Sequence, residues 1–279
     1  MSRRISFASE EHSHDGGIMI GGLKLLTAFC GLIILLALAP AASAREAPIS
    51  PGDRLHIQFS GELTVPQWAT VVEVDAEDTS AATVAALNQR GLTSICYISA
   101  GSWERYRDDA SDFPSTVLGR RLAGWPDERW LDVRNRTVLR PLMRQRVQRC
   151  AAKGFRAIEF DNVDGYSNRT GFAITRSQQL AYNRMLARMA KRNGLSPGLK
   201  NAVGLLKPLS RTFDWALNEE CVRYRECAGY KHFTRKEKAV FILEYRKAEV
   251  ETLCRRAADL AAFGQLKRLR LNGWSLPCR

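Results

Sequence analysis

From residue 45 onward, short apolar runs alternate with longer stretches whose apolar residues recur at the helical period. The runs are Leu55 to Phe59, Thr70 to Val74, Thr93 to Ile98, Arg156 to Phe160, Ser196 to Leu199, Phe213 to Leu217, Ala239 to Leu243 and Leu266 to Leu271. Their length and flanking turn formers predict buried strands. Helical stretches lie between most of them: Thr79 to Arg90, Val138 to Lys153, Ser177 to Asn193 and Arg246 to Phe263. Several end at glycine before the next strand, in Arg90-Gly91, Lys153-Gly154 and Asn193-Gly194, where a left-handed cap releases the chain from the helix. Alternation of this kind predicts an α/β fold with a parallel sheet and outer helices. Eight strands within about 235 residues predict a single-domain (β/α)8 TIM barrel rather than an open sheet. No glycine-rich phosphate loop follows the first strand, which argues against a dinucleotide fold.

The fourth run carries the densest chemistry. Ala157-Ile158-Glu159-Phe160 leads into Asp161, Asn162, Asp164 and Gly165, turn formers placed where a loop opens. In parallel α/β proteins the carboxyl ends of strands are where active sites are built. A local Asx turn with a helix cap is the alternative explanation of the same residues. Acids also follow other strands: Asp75 and Glu77, Glu219 and Glu220, and Glu244. The segment from Gly101 to Arg136 is long for one connection and holds Trp103, Trp125 and Trp130 among charged residues. It reads as a loop forming a wall of a substrate cleft, or as tryptophans packing that loop onto the barrel.

Lys24, the apolar run Leu25 to Ala39, Pro40 and Ala42-Ser43-Ala44 have the order of a signal peptide cleaved after Ala44. Residues 1–44 are thus expected to be removed and 45–279 to form one domain, secreted or periplasmic. Met19 is an alternative start. The apolar run is shorter than the roughly 20 residues of a membrane span, so no stable span is expected after cleavage. The chain carries 42 basic and 29 acidic residues, a net charge of +13. Residues 1–44 hold Arg3, Arg4 and Lys24 against Glu10, Glu11 and Asp15, so the excess belongs to the domain. Such a charge attracts polyanions. Arg140, Arg144, Arg146 and Arg149 nevertheless lie along a helical stretch without repeated aromatic interleaving. That pattern predicts a solvated surface and no specific nucleic-acid site.

Six cysteines follow the signal, and an even count in an exported chain predicts disulfides. Cys221 and Cys227 are spaced to close a small loop, and Cys254 and Cys278 to tie the last helix to the C-terminus. Cys96 and Cys150 are then a third pair or two buried thiols. Only His56 and His232 lie beyond the signal, neither at ligand or triad spacing, so zinc and Ser-His-Asp chemistry lack their commonest ingredient. No metal or other cofactor is expected. Carboxylates remain, and two with separated pKa values are the minimum equipment for cleaving a glycosidic bond.

Gln58, Cys96-Tyr97-Ile98-Ser99-Ala100-Gly101, Gly124-Trp125 with Glu128 and Trp130-Leu131-Asp132, Glu159 to Tyr166, Lys200-Asn201, Asn218-Glu219-Glu220-Cys221 and Glu244-Tyr245 together resemble glycoside hydrolase family 114. The family is named for endo-α-1,4-polygalactosaminidase, and the likeness runs in order along nearly all of the domain. It implies a (β/α)8 barrel that hydrolyses α-1,4-linked galactosamine or N-acetylgalactosamine polysaccharide, with catalytic acids at Asp161 and Glu219. In the family pattern the glutamate follows Asn and precedes one variable residue and Cys, which selects Glu219 over Glu220. The family form has Pro where this chain has Phe160.

Asp161 is assigned as nucleophile and Glu219 as general acid/base of a retaining reaction, with reversed roles and inversion still open. Asp75, Tyr97, Trp125, Asp164, Lys200, Asn201, Glu244 and Tyr245 are expected around the substrate, and the protein is expected to be a monomer. A +13 chain repels a cationic polymer unless its cleft is acidic or the polymer is acetylated. Two rival readings are a barrel that binds carbohydrate without turnover and a cationic binder of anionic polymers.

Overall fold

A computed structural model of the chain describes residues 48–278; the predicted signal segment lies outside them. In chain order the elements are β1 (Leu55–Ile57), β2 (Val71–Asp75), α1 (Ala81–Gln89), β3 (Thr93–Ser99), β4 (Ser102–Glu104), β5 (Leu118–Leu122), β6 (Trp125–Leu131), α2 (Arg136–Ala152) and β7 (Ala157–Asp161). They continue with α3 (Arg176–Arg192), β8 (Ser196–Lys200), α4 (Leu206–Leu209), β9 (Trp215–Glu219), α5 (Lys231–Thr234), β10 (Val240–Glu244), α6 (Val250–Leu260), β11 (Phe263–Lys267) and β12 (Ser275–Pro277). Strands β1, β2, β3, β7, β8, β9, β10 and β11 pair in that order, all parallel, and form the eight staves of a TIM barrel.

Period-two alternation decides what each stave sends inward. Leu55, Ile57, Val71, Ile95, Ala157, Trp215, Leu217, Phe241 and Leu243 pack together in one cluster along the barrel axis. Val72, Val74, Cys96, Ile98, Ile158, Phe160, Leu199, Ala216 and Ile242 face the helices in the other. Phe160, in the position where the family pattern has Pro, therefore packs outward, edge-on to Phe213 at 6.5 Å between ring centroids. On the axis, Gly198 makes room for the Trp215 indole, whose nearest atom lies 2.2 Å from where a Cβ would stand.

The last αβ unit departs from the sequence expectation. Strand β11 spans Phe263–Lys267 rather than 266 to 271, and α6 ends three residues before Phe263. Ala261, at φ 52°, takes the left-handed cap that glycine fills elsewhere. The nearby glycine, Gly264, is used within the strand: a Cβ there would meet Ala257, Leu253 and Cys278 at 3.0 to 3.1 Å. β12 occupies the free edge of β11, pairing antiparallel, so β1 and β11 share no ladder. That seam is closed by Gln265 Nε2 donating to Leu55 O at 2.8 Å and by Phe59 N donating to Leu271 O at 2.8 Å.

The segment from Gly101 to Arg136 is a correction to the loop expectation. It folds into an antiparallel three-stranded sheet, ordered β4-β6-β5. Its tryptophans divide between the two roles. Trp130 is buried and Trp103 Nε1 donates to Ala110 O at 2.9 Å, whereas Trp125 is 54% exposed. All three cysteine pairs are disulfides: Cys96–Cys150 joins β3 to α2, Cys221–Cys227 closes the turn after β9, and Cys254–Cys278 ties α6 to the C-terminal strand.

Gly101, just beyond β3, fixes the turn after β7. A Cβ there would stand 1.6 Å from Asn162 O and 2.5 Å from Asn162 C, both backbone atoms. The amide of Gly101 also donates to Asp161 O at 3.1 Å. Gly101→Ala must therefore displace the turn that carries Asp161. Overpacking of this kind costs about 1–3 kcal/mol, and in a domain of this size each kcal/mol lowers the melting temperature by about 2–4 °C. A thermal melt of Gly101→Ala is expected to fall by several degrees, with activity reduced at temperatures where the variant is still folded.

Candidate active site

Strands β7, β8 and β9 end side by side, and their inward parity brings Asp161, Lys200 and Glu219 to the mouth of the barrel. The Lys200 ammonium, 2% exposed, lies 3.2 Å from Glu159 Oε2, 3.6 Å from Asp161 Oδ2 and 3.5 Å from Glu219 Oε2. Burial opposes its charge, but Asp161, Glu159, Glu219 and Glu73 outweigh burial and hold its pKa well above the usual lysine value. Because one ammonium touches both, Asp161 Oδ2 and Glu219 Oε2 are no more than about 7 Å apart. That limit admits the retaining spacing of about 5–5.5 Å and only the lower end of the inverting range of about 6.5–9.5 Å.

Each acid is oriented by a tyrosine and an asparagine. The Tyr97 hydroxyl donates to Asp161 Oδ2 at 3.1 Å, and the Tyr245 hydroxyl donates to Glu219 Oε1. Burial, then the charges of Asp161 and Glu219 respectively, push both phenols well above their ordinary value, so both remain donors. Asn162, at φ 59°, donates its amide to Asp161 Oδ1 at 2.7 Å. Asn201, at φ 47°, uses Oδ1 to accept from Glu219 N at 2.9 Å and Asn218 Nδ2 at 3.2 Å. Asparagine is among the few residues that enter the left-handed region at modest cost.

Beneath Lys200 lie two fully buried carboxyls, Glu73 and Glu159. Burial lifts Glu159 to about 7 against the pull of Lys200, and burial followed by the charge of Glu159 lifts Glu73 well above the carboxylate range. Both Glu73 oxygens and Glu159 Oε1 lack a donor if both groups are ionised. A proton shared between the two carboxyls supplies the donor that buried oxygens require.

The cleft above has two lobes. One, of about 540 Å³, is lined by Asp75, Asp78, Glu104, Glu128, Glu219 and Glu220 together with Tyr97, Trp125, Lys200, Asn201 and Tyr245. The other, of about 560 Å³, is reached by Asp161, Asp164, Lys200, Asn201 and Trp125. Of the expected substrate-facing residues, Glu244 is the exception. It is buried off the cleft, with Oε1 accepting from Val222 N at 2.8 Å, because Tyr245 takes the inward position of that pair. Asp75 reaches the cleft wall, but its two oxygens are taken up by Arg107 Nη1 and Nη2 at 2.7 Å each. Arg107 also donates from Nε to Glu104 Oε2 at 2.7 Å. Sequence reasoning did not single out Glu73, which stands between valines in an apolar strand, a usable signal. Glu104 and Glu128 line the cleft, in keeping with the expectation that their segment forms a wall of it, and Tyr106, which no sequence pattern marks, joins them there.

These carboxyls make stability depend on pH. Burial, the first cause in each case, lifts Glu128, Glu159 and Glu244 to about 7 and Asp164 to about 6. Between the ordinary carboxylate range and about pH 7 the folded chain thus binds more protons than the unfolded chain, and stability falls as pH rises. On the acid side, burial and then Lys267 lower His56 to about 4. Asp109, despite burial, is held at about 2 by Arg146 and Arg149. Stability from these two is lost as pH falls through those values. The melting temperature is expected to peak near pH 4, where the carboxyl and the His56 and Asp109 contributions balance, and to decline toward pH 8, and Glu73→Gln should flatten that decline.

Residues 37–279 match the family model of glycoside-hydrolase family GH114. Among solved structures, Aspergillus fumigatus Ega3 in complex with galactosamine aligns with a TM-score of 0.79 at 29% identity, covering 86% of this chain and 100% of that one. The glycoside hydrolase domain of PelA from Pseudomonas aeruginosa aligns with a TM-score of 0.62 at 14% identity, over 80% of this chain and 97% of that one. No curated protein sequence matches significantly. With the family model spanning every stave of the barrel and the cleft between them, the chain is a glycoside hydrolase and belongs to family GH114.

Proposed function

We propose that residues 45–279 act as a single exported domain that hydrolyses α-1,4-linked galactosamine or N-acetylgalactosamine polysaccharide through Asp161 and Glu219. The observation that carries this reading is the pairing of Asp161 and Glu219 on the Lys200 ammonium at the floor of a carboxylate-walled cleft. An acidic cleft in a +13 chain reverses the local field and draws in ammonium sugars. The likeness to a protein bound to galactosamine supports the sugar class. Three disulfides fit an oxidising compartment, and among the described residues no helix is long and apolar enough to cross a membrane.

In the proposed reaction the Asp161 carboxylate attacks the anomeric carbon while Glu219 protonates the departing glycosidic oxygen, leaving a glycosyl ester on Asp161. Glu219, now ionised, takes a proton from water as that water attacks the same carbon and frees Asp161. The limit of about 7 Å between the two acids is compatible with this order and excludes most of the inverting range. Incubation with polygalactosamine should release new reducing ends, and NMR should show the α-anomer forming first. Tight binding without product would support the carbohydrate-binding rival. Affinity that collapses with salt and ignores both acids would support the cationic binder.

A further inference from the structure

The two lobes of the cleft meet at Leu122, Trp125, Asp161, Asn162, Lys200 and Asn201 but differ in charge beyond that junction. In the first lobe, Asp75, Asp78, Glu104, Glu128, Glu219 and Glu220 outnumber Arg107 and Arg270. An acidic excess remains with Glu220 paired to Arg223 at 2.6 Å and Glu128, at about 7, partly protonated at neutral pH. Arg107 is already spent on Asp75 and Glu104. In the second lobe the charged residues beyond the junction are Arg121, Arg169 and Asp164. Burial lifts Asp164 to about 6, so it remains mostly ionised at neutral pH and offsets one of the two arginines. Arg121 and Arg169 are exposed, and among the described residues neither forms an ion pair. Trp125, 54% exposed, and Tyr224, 60% exposed, give the same lobe two open aromatic faces.

An ammonium sugar is attracted to the first lobe and repelled by the excess guanidinium charge of the second. An acetamido group suits the second lobe, because its carbonyl accepts from a guanidinium and its methyl rests on an aromatic face. We propose that the lobe formed by Arg121, Arg169, Trp125 and Tyr224 is a subsite for an N-acetylated hexosamine, while the acidic lobe takes a free-amine unit. The enzyme then cuts at junctions between acetylated and deacetylated units. This rests on the reading of the protein as a galactosamine-polymer hydrolase.

The test uses three galactosamine polymers of matched length: fully deacetylated, fully acetylated and half acetylated. The half-acetylated polymer should be cut with a kcat/KM at least fivefold above either homopolymer. Mass spectrometry should find one kind of new chain end acetylated and the other carrying a free amine. The double variant R121E/R169E, both sites being exposed, should reverse the preference, with about a fivefold gain on the deacetylated polymer and a loss on the mixed one. Random acetylation at the new ends of the wild-type products overturns the subsite without needing the variant, as does an unchanged preference in a variant whose thermal melt is intact. In both cases turnover persists and the hydrolase reading stands. No cutting of any of the three polymers by the wild type overturns the hydrolase reading, and the subsite with it.

Discussion

Glu219→Gln is expected to lower kcat by about 10²–10⁴-fold, the range that a positioned general acid and base supplies, and Asp161→Asn at least as much. Neither substitution should unfold the chain. The amide oxygens of the new side chains still accept from Tyr245 and Tyr97, and Lys200 keeps Glu159 and the remaining acid as partners. The two variants separate the roles of the acids when azide is added. In Glu219→Gln, an activated aryl glycoside needs no proton donor, so the glycosyl ester on Asp161 forms and accumulates. Azide needs no general base to attack that ester, and it should restore turnover with a glycosyl azide of retained configuration. Asp161→Asn has no ester to intercept and should show no such product. A swap of the two patterns would reverse the assignment, and rescue of neither, with inverted products in the wild type, would point to single displacement.

What the sequence could reveal about this site follows from the geometry of strands. Apolar runs ending in polar residues located the staves and their mouths, and the barrel then brings Asp161, Lys200, Asn201 and Glu219 together without any further information. Parity was harder to read at Glu244-Tyr245, because the stave is buried on both faces and an apolar run carries no alternation to say which neighbour points inward. Tyr245 does so, and its bond to Glu219 is visible only in three dimensions. Arg107 illustrates a second limit. Its capture of Asp75 joins residues 32 apart, and Arg107 stands just beyond β4 in an inserted antiparallel sheet whose β5–β6 register is shifted. Irregular register leaves no clean period, so that segment read as a loop. At Ala261 the limit is conformational: an L-residue in the glycine position of a cap removes the usual stop signal, and the helix expectation overran into β11.

Lys200→Met should have a large effect of a different kind. Methionine matches the length of the lysine stem but leaves Glu159, Asp161 and Glu219 facing one another with no cation among them. Removing one partner of a buried ion pair costs about 3–5 kcal/mol, unless the cluster takes up a proton instead. Lys200 lowers the pKa of Glu159, so its loss frees Glu159 to bind a proton more tightly, and the cluster as a whole to hold one more at neutral pH. Double displacement needs one acid ionised and the other protonated, and without the ammonium the attacking carboxylate has no cation beside it to favour its charged form. At pH 7 kcat/KM should fall by about 10²-fold or more, and the acidic limb of the pH–rate profile should move up by at least about one unit. A purely structural lysine would lower the melting temperature and leave that limb in place. Lys200→Arg is not expected to restore activity, because a planar guanidinium cannot occupy a pocket only 2% exposed that was shaped around a compact ammonium. A Lys200→Met enzyme that melts lower yet keeps the wild-type pH profile would show that the ammonium holds the strands together without setting the protonation of the acids.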